Sequence, residues 1–376
     1  MTRAWLAERT RHFEASGIRR VFELAARLKD PVNLSIGQPH FDVPAEVRAA
    51  AIAAINAGKN GYTVTQGIPE LRDKLQARVD AEYGHPDRQV FITSGTSGGL
   101  VLALLALVDP GDEVLVFDPT FVMYPAIVAL AGGTCVRVDT YPDFRPTAER
   151  ARPHLTPRTK AILLNSPANP TGAVARDEEV RALAELAAEH DVALISDEIY
   201  RLFCYDRPFV SPARYNPRAI VIDGFSKTYA MTGWRLGFAH GPAEIMREML
   251  KIQQYSFVCA PQPAQWAGIA ALDVDMTAHA GDYRRKRDRL AEGLAGYYEL
   301  VRPEGAFYAF PRVPRGSGTA FAERAVQQGL LVIPGGVFSQ RDTHFRISYA
   351  ASDETLERGI DILRRLAEAG GGPQAA

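Results

Sequence analysis

Short runs of β-branched and apolar residues recur from residue 90 onward, at 90–93, 114–118, 136–140, 161–165, 192–197 and 220–225, and longer apolar stretches with helical spacing separate most of them. Runs of this length fit buried strands, and their alternation with helices predicts a mostly parallel sheet covered by helices. In such sheets ligands bind outside the carboxyl ends of the strands, so the residues that close these runs are the first candidates for chemistry. Before residue 90 the pattern is mostly helical. After about Gly281 it changes to a basic helix over 283–292, followed by a different order of elements. A final helix is expected from Ser352, an N-cap residue followed by Asp353 and Glu354 in the first turn, with Leu356, Ile360 and Leu363 on one face. The expected division is an N-terminal arm with part of a small domain at 1–45, a large ligand-binding domain at 46–282, and the remainder of the small domain at 283–376. The Gly-rich end, 370–376, is expected to be disordered.

Composition narrows the function without naming it. The 376 residues are 47% hydrophobic and 23% charged, as in ordinary soluble folds, and a chain of this size exceeds what one core usually supports. With 43 basic and 44 acidic residues the net charge is −1, so no global positive field favours nucleic acid or an anionic membrane. Small-molecule chemistry is the expectation. The longest apolar run, 100–108, is too short to span a bilayer. Arg3, Arg9 and Arg11 are followed by no apolar stretch, and Glu8 and Glu14 speak against a targeting peptide. Three isolated cysteines, Cys135, Cys204 and Cys259, exclude paired metal spacing and fit a reducing compartment; a cytoplasmic protein is expected.

Four strand ends carry candidate chemistry. Ser94-Gly95-Thr96-Ser97-Gly98-Gly99 lies between a strand and an apolar helix, where unsatisfied backbone donors and the helix dipole favour a phosphate. The same residues match the G-x-S-x-G elbow of serine hydrolases, with Ser97 as nucleophile, although no HGGG-type motif accompanies them. A dinucleotide site with Asp118 on the ribose is a third reading, against which the glycine spacing argues. Of only seven lysines, Lys227 alone follows a strand directly, in Gly224-Phe225-Ser226-Lys227-Thr228, and an amine there can form a Schiff base if burial or cationic neighbours lower its pKa. Asp197 closes another strand and precedes Tyr200 by three positions, so a helical turn would face both the same way. Asn165-Ser166-Pro167-Ala168-Asn169-Pro170-Thr171-Gly172 follows a fourth, and its X-Pro steps restrain Asn169 beside the same edge.

Together these residues resemble the class I and II aminotransferases, fold type I of the pyridoxal 5′-phosphate enzymes, nearest the aspartate and aromatic amino acid branch. The resemblance runs from about Ser16 to Arg365. It is carried by Ser16-Gly17-Ile18-Arg19, Gly37-Gln38-Pro39, Tyr62, 67–72, the 94–99 turn, Asn169-Pro170-Thr171-Gly172, 197–200, Ser226-Lys227, Arg235 and Phe345-Arg346-Ile347-Ser348. It implies an α/β fold: a large domain with a mostly parallel sheet sandwiched by helices, and a smaller α+β domain formed by both chain ends. It further implies that Lys227 binds pyridoxal phosphate as an imine and later moves the substrate proton, that Asp197 pairs with the ring nitrogen, and that Asn169 and Tyr200 hydrogen-bond the phenolic oxygen. Phe121 stands where the family stacks an aromatic ring. Gly95, Thr96, Ser97, Ser226 and Arg235 are implied for the phosphate, with Tyr62 reaching it from the neighbouring subunit of a homodimer. Gly37, Asn169 and Arg346 are implied for the substrate, with Arg346 taking its α-carboxylate beside Gly37. The one departure is Ser339, where many relatives have glycine after the phenylalanine.

The reaction this implies is transfer of an amino group from an α-amino acid of aspartate or aromatic type to a 2-oxo acid, with 2-oxoglutarate expected. Kynurenine- or glutamine-type transamination and β-elimination by a C–S lyase share the same early steps, and a serine hydrolase built on Ser97 is the alternative from another class.

Overall fold

The computed structural model describes residues 5–13, 17 and 29–369. Ser16, Ile18 and Arg19 of the first motif, and the Gly-rich end, lie outside them. In chain order the principal elements are β1 (Val32–Asn33), α1 (Ala45–Asn56), α2 (Pro69–Tyr83), β2 (Arg88–Thr93), α3 (Gly95–Leu107), β3 (Glu113–Asp118), α4 (Met123–Leu130), β4 (Thr134–Asp139), β5 (Thr159–Asn165), α5 (Asp177–Glu189), β6 (Ala193–Asp197), β7 (Ile220–Gly224) and β8 (Gly237–Pro242). They are followed by α6 (Ala243–Tyr255), α7 (Gln262–Ala271), α8 (Thr277–Leu294), β9 (Tyr308–Ala309), α9 (Gly318–Gln327), β10 (Leu330–Leu331), β11 (Ile333–Pro334), β12 (Phe345–Ser348) and α10 (Asp353–Ala369).

Seven strands form the main sheet in the order β2-β8-β7-β6-β5-β3-β4. Alternate residues of the central strands face opposite cores. Val114, Val116, Leu163, Ile195 and Ile222 pack with α3, α4 and α6, whereas Leu115, Ile162, Leu164, Leu194 and Val221 pack with α5. Both faces are covered, which is why these strands read as continuous apolar runs instead of alternating ones.

The sheet differs from the expected pattern by one strand. β8 is antiparallel to both β7 and β2, and it separates them. Its sequence, Gly237-Phe238-Ala239-His240-Gly241-Pro242, begins with glycine and ends with proline, so its strand signal is weak. The consequence for the site is small, because two antiparallel steps restore direction: Thr93 lies opposite Gly237, and Gly237 lies opposite Gly224. The carboxyl ends of β2, β5, β6 and β7 therefore open on one edge.

The remaining strands form two small sheets, β1-β10 and β11-β12-β9. Val32 pairs with Leu330, so residues near the two ends of the chain meet, and a separate core gathers Tyr283, Leu290, Phe307, Phe345, Leu356 and Ile360. The expected boundary after residue 282 falls inside α8, which runs unbroken from Thr277 to Leu294. Helix α10 begins as the sequence predicts, with the Ser352 hydroxyl accepting from the Thr355 backbone N–H at 3.1 Å.

Candidate active site

A cleft of ≈ 240 Å³ opens at the carboxyl edge of the main sheet. Its walls bring together Gly37, Thr96, Ser97, Phe121, Asn169, Asp197, Tyr200, Ser226, Lys227, Arg235 and Arg346. These are the sequence-selected residues with two exceptions: Gly95 and Tyr62 do not line the cleft, and Tyr62 is 87% exposed.

One end is built from the β2–α3 turn. Helix α3 starts at Gly95, one residue after the strand, and the backbone N–H groups of its first turn lack helical acceptors. Gly95 has φ +72°, a conformation that favours glycine, and a Cβ there would sit 2.5 Å from the movable end of Arg235, at Nη2. Gly237 meets the same turn from β8, where a Cβ would lie 2.6 Å from the Gly95 carbonyl carbon. Arg235 is exposed on the rim and donates from Nη1 to the Thr232 carbonyl at 2.8 Å. The buried Thr96 hydroxyl has no hydrogen-bond partner among the described residues.

The floor is Asp197, 3% exposed at the end of β6. Its Oδ2 accepts from the Tyr124 hydroxyl at 2.7 Å and its Oδ1 from the Ile199 N–H at 3.3 Å, while its backbone carbonyl accepts from Asn165 Nδ2 at 3.1 Å. Burial pushes this carboxyl up to about 6, against the opposing pull of those hydrogen bonds. Residues 198–201 form a turn closed by the Arg201 N–H on the Glu198 carbonyl at 2.8 Å, and the Glu198 N–H donates to the Ile222 carbonyl of β7 at 2.9 Å. Asp197 and Tyr200 both reach the cleft.

Lys227 emerges from β7 opposite this floor. Its Nζ donates to the Gly37 carbonyl at 2.6 Å. Burial, then Arg346 and Arg235, bring its pKa down to about 8, with Asp197 pulling the other way. The sequence requirement for a lysine held partly neutral is met by this environment.

At the far end Arg346, 1% exposed on β12, lies between two rings, 4.6 Å from the centre of Tyr308 and 4.8 Å from that of Phe338. Its Nη1 donates to Asn169 Oδ1 at 3.0 Å and its Nη2 to the Ser35 carbonyl at 2.8 Å. Nε has no partner among the described residues. Asn169 is fixed in turn by its N–H, which donates to Asn165 Oδ1 at 2.9 Å, and with its Oδ1 occupied its Nδ2 is left as a donor. Ser339, the departure from the family pattern, donates to Asp118 Oδ2 at 2.8 Å and accepts from Tyr141 at 3.1 Å, outside the cleft wall.

Sequence reading missed Tyr124 and Tyr308. Tyr124 stands three positions after Phe121, whose carbonyl accepts from the Tyr124 N–H at 3.0 Å in the turn that leads into α4, and the two rings meet edge to face at 5.6 Å. Tyr308 had no sequence signal, standing in a two-residue strand, with its hydroxyl 2.9 Å from that of Tyr200. The Ser97 elbow finds no histidine among the residues that line the cleft, which removes the hydrolase reading's base.

Electrostatically the cleft holds more cations than anions. Lys227, Arg235 and Arg346 line it, none in an ion pair with a carboxylate among the described residues, and Asp197 is the single carboxylate of the wall. Such a site suits a ligand with an anionic group near α3 and a second near Arg346.

Comparison with known proteins decides the class. The aminotransferase class I and II profile matches residues 29–363. The chain belongs to this family. It is 40% identical over 365 residues to the aspartate/prephenate aminotransferase of Thermus thermophilus, an alignment covering 92% of this chain and 94% of the relative. It is 36% identical over 376 residues to a probable aspartate aminotransferase of Methanocaldococcus jannaschii, covering 96% and 100%. Among solved structures, the Thermus thermophilus aspartate aminotransferase with maleate superposes with a TM-score of 0.92 at 39% identity, covering 97% of this chain and 100% of that one. The aromatic aminotransferase of Pyrococcus horikoshii does so with 0.87 at 33%, covering 93% and 99%. This aminotransferase is thus an amino-group transferase with the α/β architecture of fold type I.

Proposed function

We propose that this aminotransferase holds pyridoxal phosphate in the cleft and moves an amino group from an aspartate- or aromatic-type amino acid to a 2-oxo acid, 2-oxoglutarate being the expected acceptor. The observation that carries the reading is the set of uncompensated groups: an orphaned Thr96 hydroxyl and exposed Arg235 at a helix N-terminus, and an arginine buried without a counter-ion at the other end. A phosphate dianion fits the first and an α-carboxylate the second.

When bound, the cofactor supplies an electron sink for the substrate Cα. The remaining work falls to the chain. Gly95, Thr96, Ser97, Ser226 and Arg235 would hold the phosphate, Phe121 would cover the ring, and Asp197, kept in place by the Tyr124 hydroxyl, would pair with the ring nitrogen and favour its protonated form. Asn169 Nδ2 and the Tyr200 hydroxyl donate toward the phenolic oxygen. Arg346 takes the α-carboxylate in a two-point grip beside Gly37, which aims the substrate Cα–H at Lys227. Burial and two arginines bring the Lys227 amine down to about 8, so once free it would be partly neutral at physiological pH and could accept the Cα proton on Nζ and give it up again.

Tyr62 belongs to the same reading. Its exposure, with that of Ile52, Val64 and Tyr255, fits a surface covered by a second copy of the chain, and we place Tyr62 on the partner's phosphate. The three cysteines are free, and no described helix is long and apolar enough to cross a membrane.

The test is stopped-flow absorbance of the cofactor-loaded protein against single amino acids, including aspartate, glutamate, tyrosine, kynurenine, alanine and methionine. One class should convert the visible band to the amine form, and 2-oxoglutarate should reverse the change. Pyruvate released from a cysteine conjugate without any 2-oxo acid would replace transamination with elimination.

A further inference from the structure

We propose that Tyr308 is a positioning residue with two separable tasks, its hydroxyl directing the Tyr200 proton and its ring shelving Arg346; the proposal rests on the cofactor reading above. Tyr308 is fully buried on β9, where it pairs with Ser348 of the strand that carries Arg346. Three groups converge on it. Its hydroxyl lies 2.9 Å from that of Tyr200, with the two rings at 84°. Its face lies 4.6 Å from the Arg346 guanidinium carbon. A Cβ on Gly37 would sit 3.0 Å from its hydroxyl, so it also abuts the segment whose carbonyl accepts from Lys227.

The phenol pair has a directional choice. Two hydroxyls at this distance share one hydrogen bond, so only one of them donates to the other. If Tyr200 donates, its proton is committed and cannot serve an acceptor in the cleft. If Tyr308 donates, Tyr200 is free to donate onward, and it does so more strongly because successive O–H groups polarise one another. An electron-rich oxygen in the cleft selects the second arrangement. Burial holds both phenols protonated, so the relay persists across the working pH range. The ring has a separate use. Arg346 donates to two neutral oxygens and lies over two π-faces, and removing one of them frees the guanidinium to tilt away from the carboxylate position.

The two tasks separate in two variants of the cofactor-loaded enzyme. Tyr308→Phe keeps the ring and removes the hydroxyl. A weaker Tyr200 donor leaves more negative charge on the phenolic oxygen, which holds the proton of the lysine–cofactor linkage more tightly. The midpoint of the pH-dependent visible absorbance should therefore rise by about half a unit to one unit, and the same change in a Tyr200→Phe background should produce no such rise. Binding of 2-oxoglutarate to Tyr308→Phe, read by the same absorbance, should stay within about twofold of wild type, whereas Tyr308→Leu should weaken it about tenfold or more. An unmoved midpoint in Tyr308→Phe, an equal rise in both backgrounds, or failure of Tyr308→Phe to keep its cofactor would each overturn the proposal. A wild-type protein without any titrating visible band would remove the cofactor reading and this proposal with it.

Discussion

Arg346→Met asks whether the buried guanidinium serves a ligand or the fold. In the free enzyme it is 1% exposed and donates only to the neutral oxygens of Asn169 and Ser35. Burying an uncompensated cation costs several kcal/mol even after relaxation, and burial accordingly pulls the Arg346 pKa down. Methionine removes that cost and still fills space between the Tyr308 and Phe338 rings, but it orphans two acceptors at about 1–3 kcal/mol each. The opposing effects are of similar size, so the ligand-free variant should lie within about 2 kcal/mol of wild type. Arg287 provides the contrast. Asp206 holds its guanidinium at 2.6 and 3.1 Å, so Arg287→Met should lose about 2–3 kcal/mol after allowance for the partly exposed aspartate. The assay is thermal unfolding of the cofactor-loaded protein with and without 2-oxoglutarate. At about a hundred times Kd the ligand should stabilise wild type by about 2.7 kcal/mol, or about 3 °C for a chain of 376 residues, and should leave Arg346→Met unmoved. kcat/KM should fall about 10²- to 10⁴-fold. A variant that unfolds far below wild type, or that keeps the ligand-induced shift, would show the arginine to be structural.

The Lys227 amine, brought down to about 8 by burial and two arginines, should react with trinitrobenzenesulfonate in the cofactor-free protein with a half-maximal rate near that pH, read by mass spectrometry of its peptide; a midpoint near 10 would contradict the electrostatic account. Mixing Tyr62→Ala with Lys227→Ala subunits should restore about a quarter of wild-type activity if each site takes its Tyr62 from the partner, since half the dimers then carry one intact site; no recovery would place Tyr62 in its own chain's site. Asp223 is pushed up to about 7 by burial, so the folded state binds its proton more tightly than the unfolded state and wild type loses stability as pH rises from about 4 to 7. Asp223→Asn is free of that loss, and its Tm advantage should widen between pH 5 and pH 8; a gap that narrows would reverse the sign.

The large sheet was legible because its strands are buried on both faces and appear as uninterrupted apolar runs. The residues ending them converge because parallel strands put equivalent ends on one edge. β8 escaped notice for the opposite reason, since it is bounded by Gly237 and Pro242 and its glycine is there to pass the Gly95 turn, a tertiary demand invisible in local pattern. The small strands of two to four residues carry no period at all, so the placement of Arg346 came from the family motif and not from periodicity. Tyr308 illustrates the same limit: it becomes functional only through neighbours more than 30 positions away, Tyr200, Gly37 and Arg346. Asp197 and Tyr200 both line the cleft, and a turn tied to β7 brings them there where a helical turn would also have faced them the same way.

The central claim is that one amine, Lys227, carries the cofactor. Borohydride reduction of the purified enzyme followed by proteolysis and mass spectrometry tests it directly. The account predicts a phosphopyridoxyl adduct on the peptide containing Lys227, absent in Lys227→Ala together with turnover. An adduct on another of the seven lysines, or turnover retained in Lys227→Ala, would contradict it.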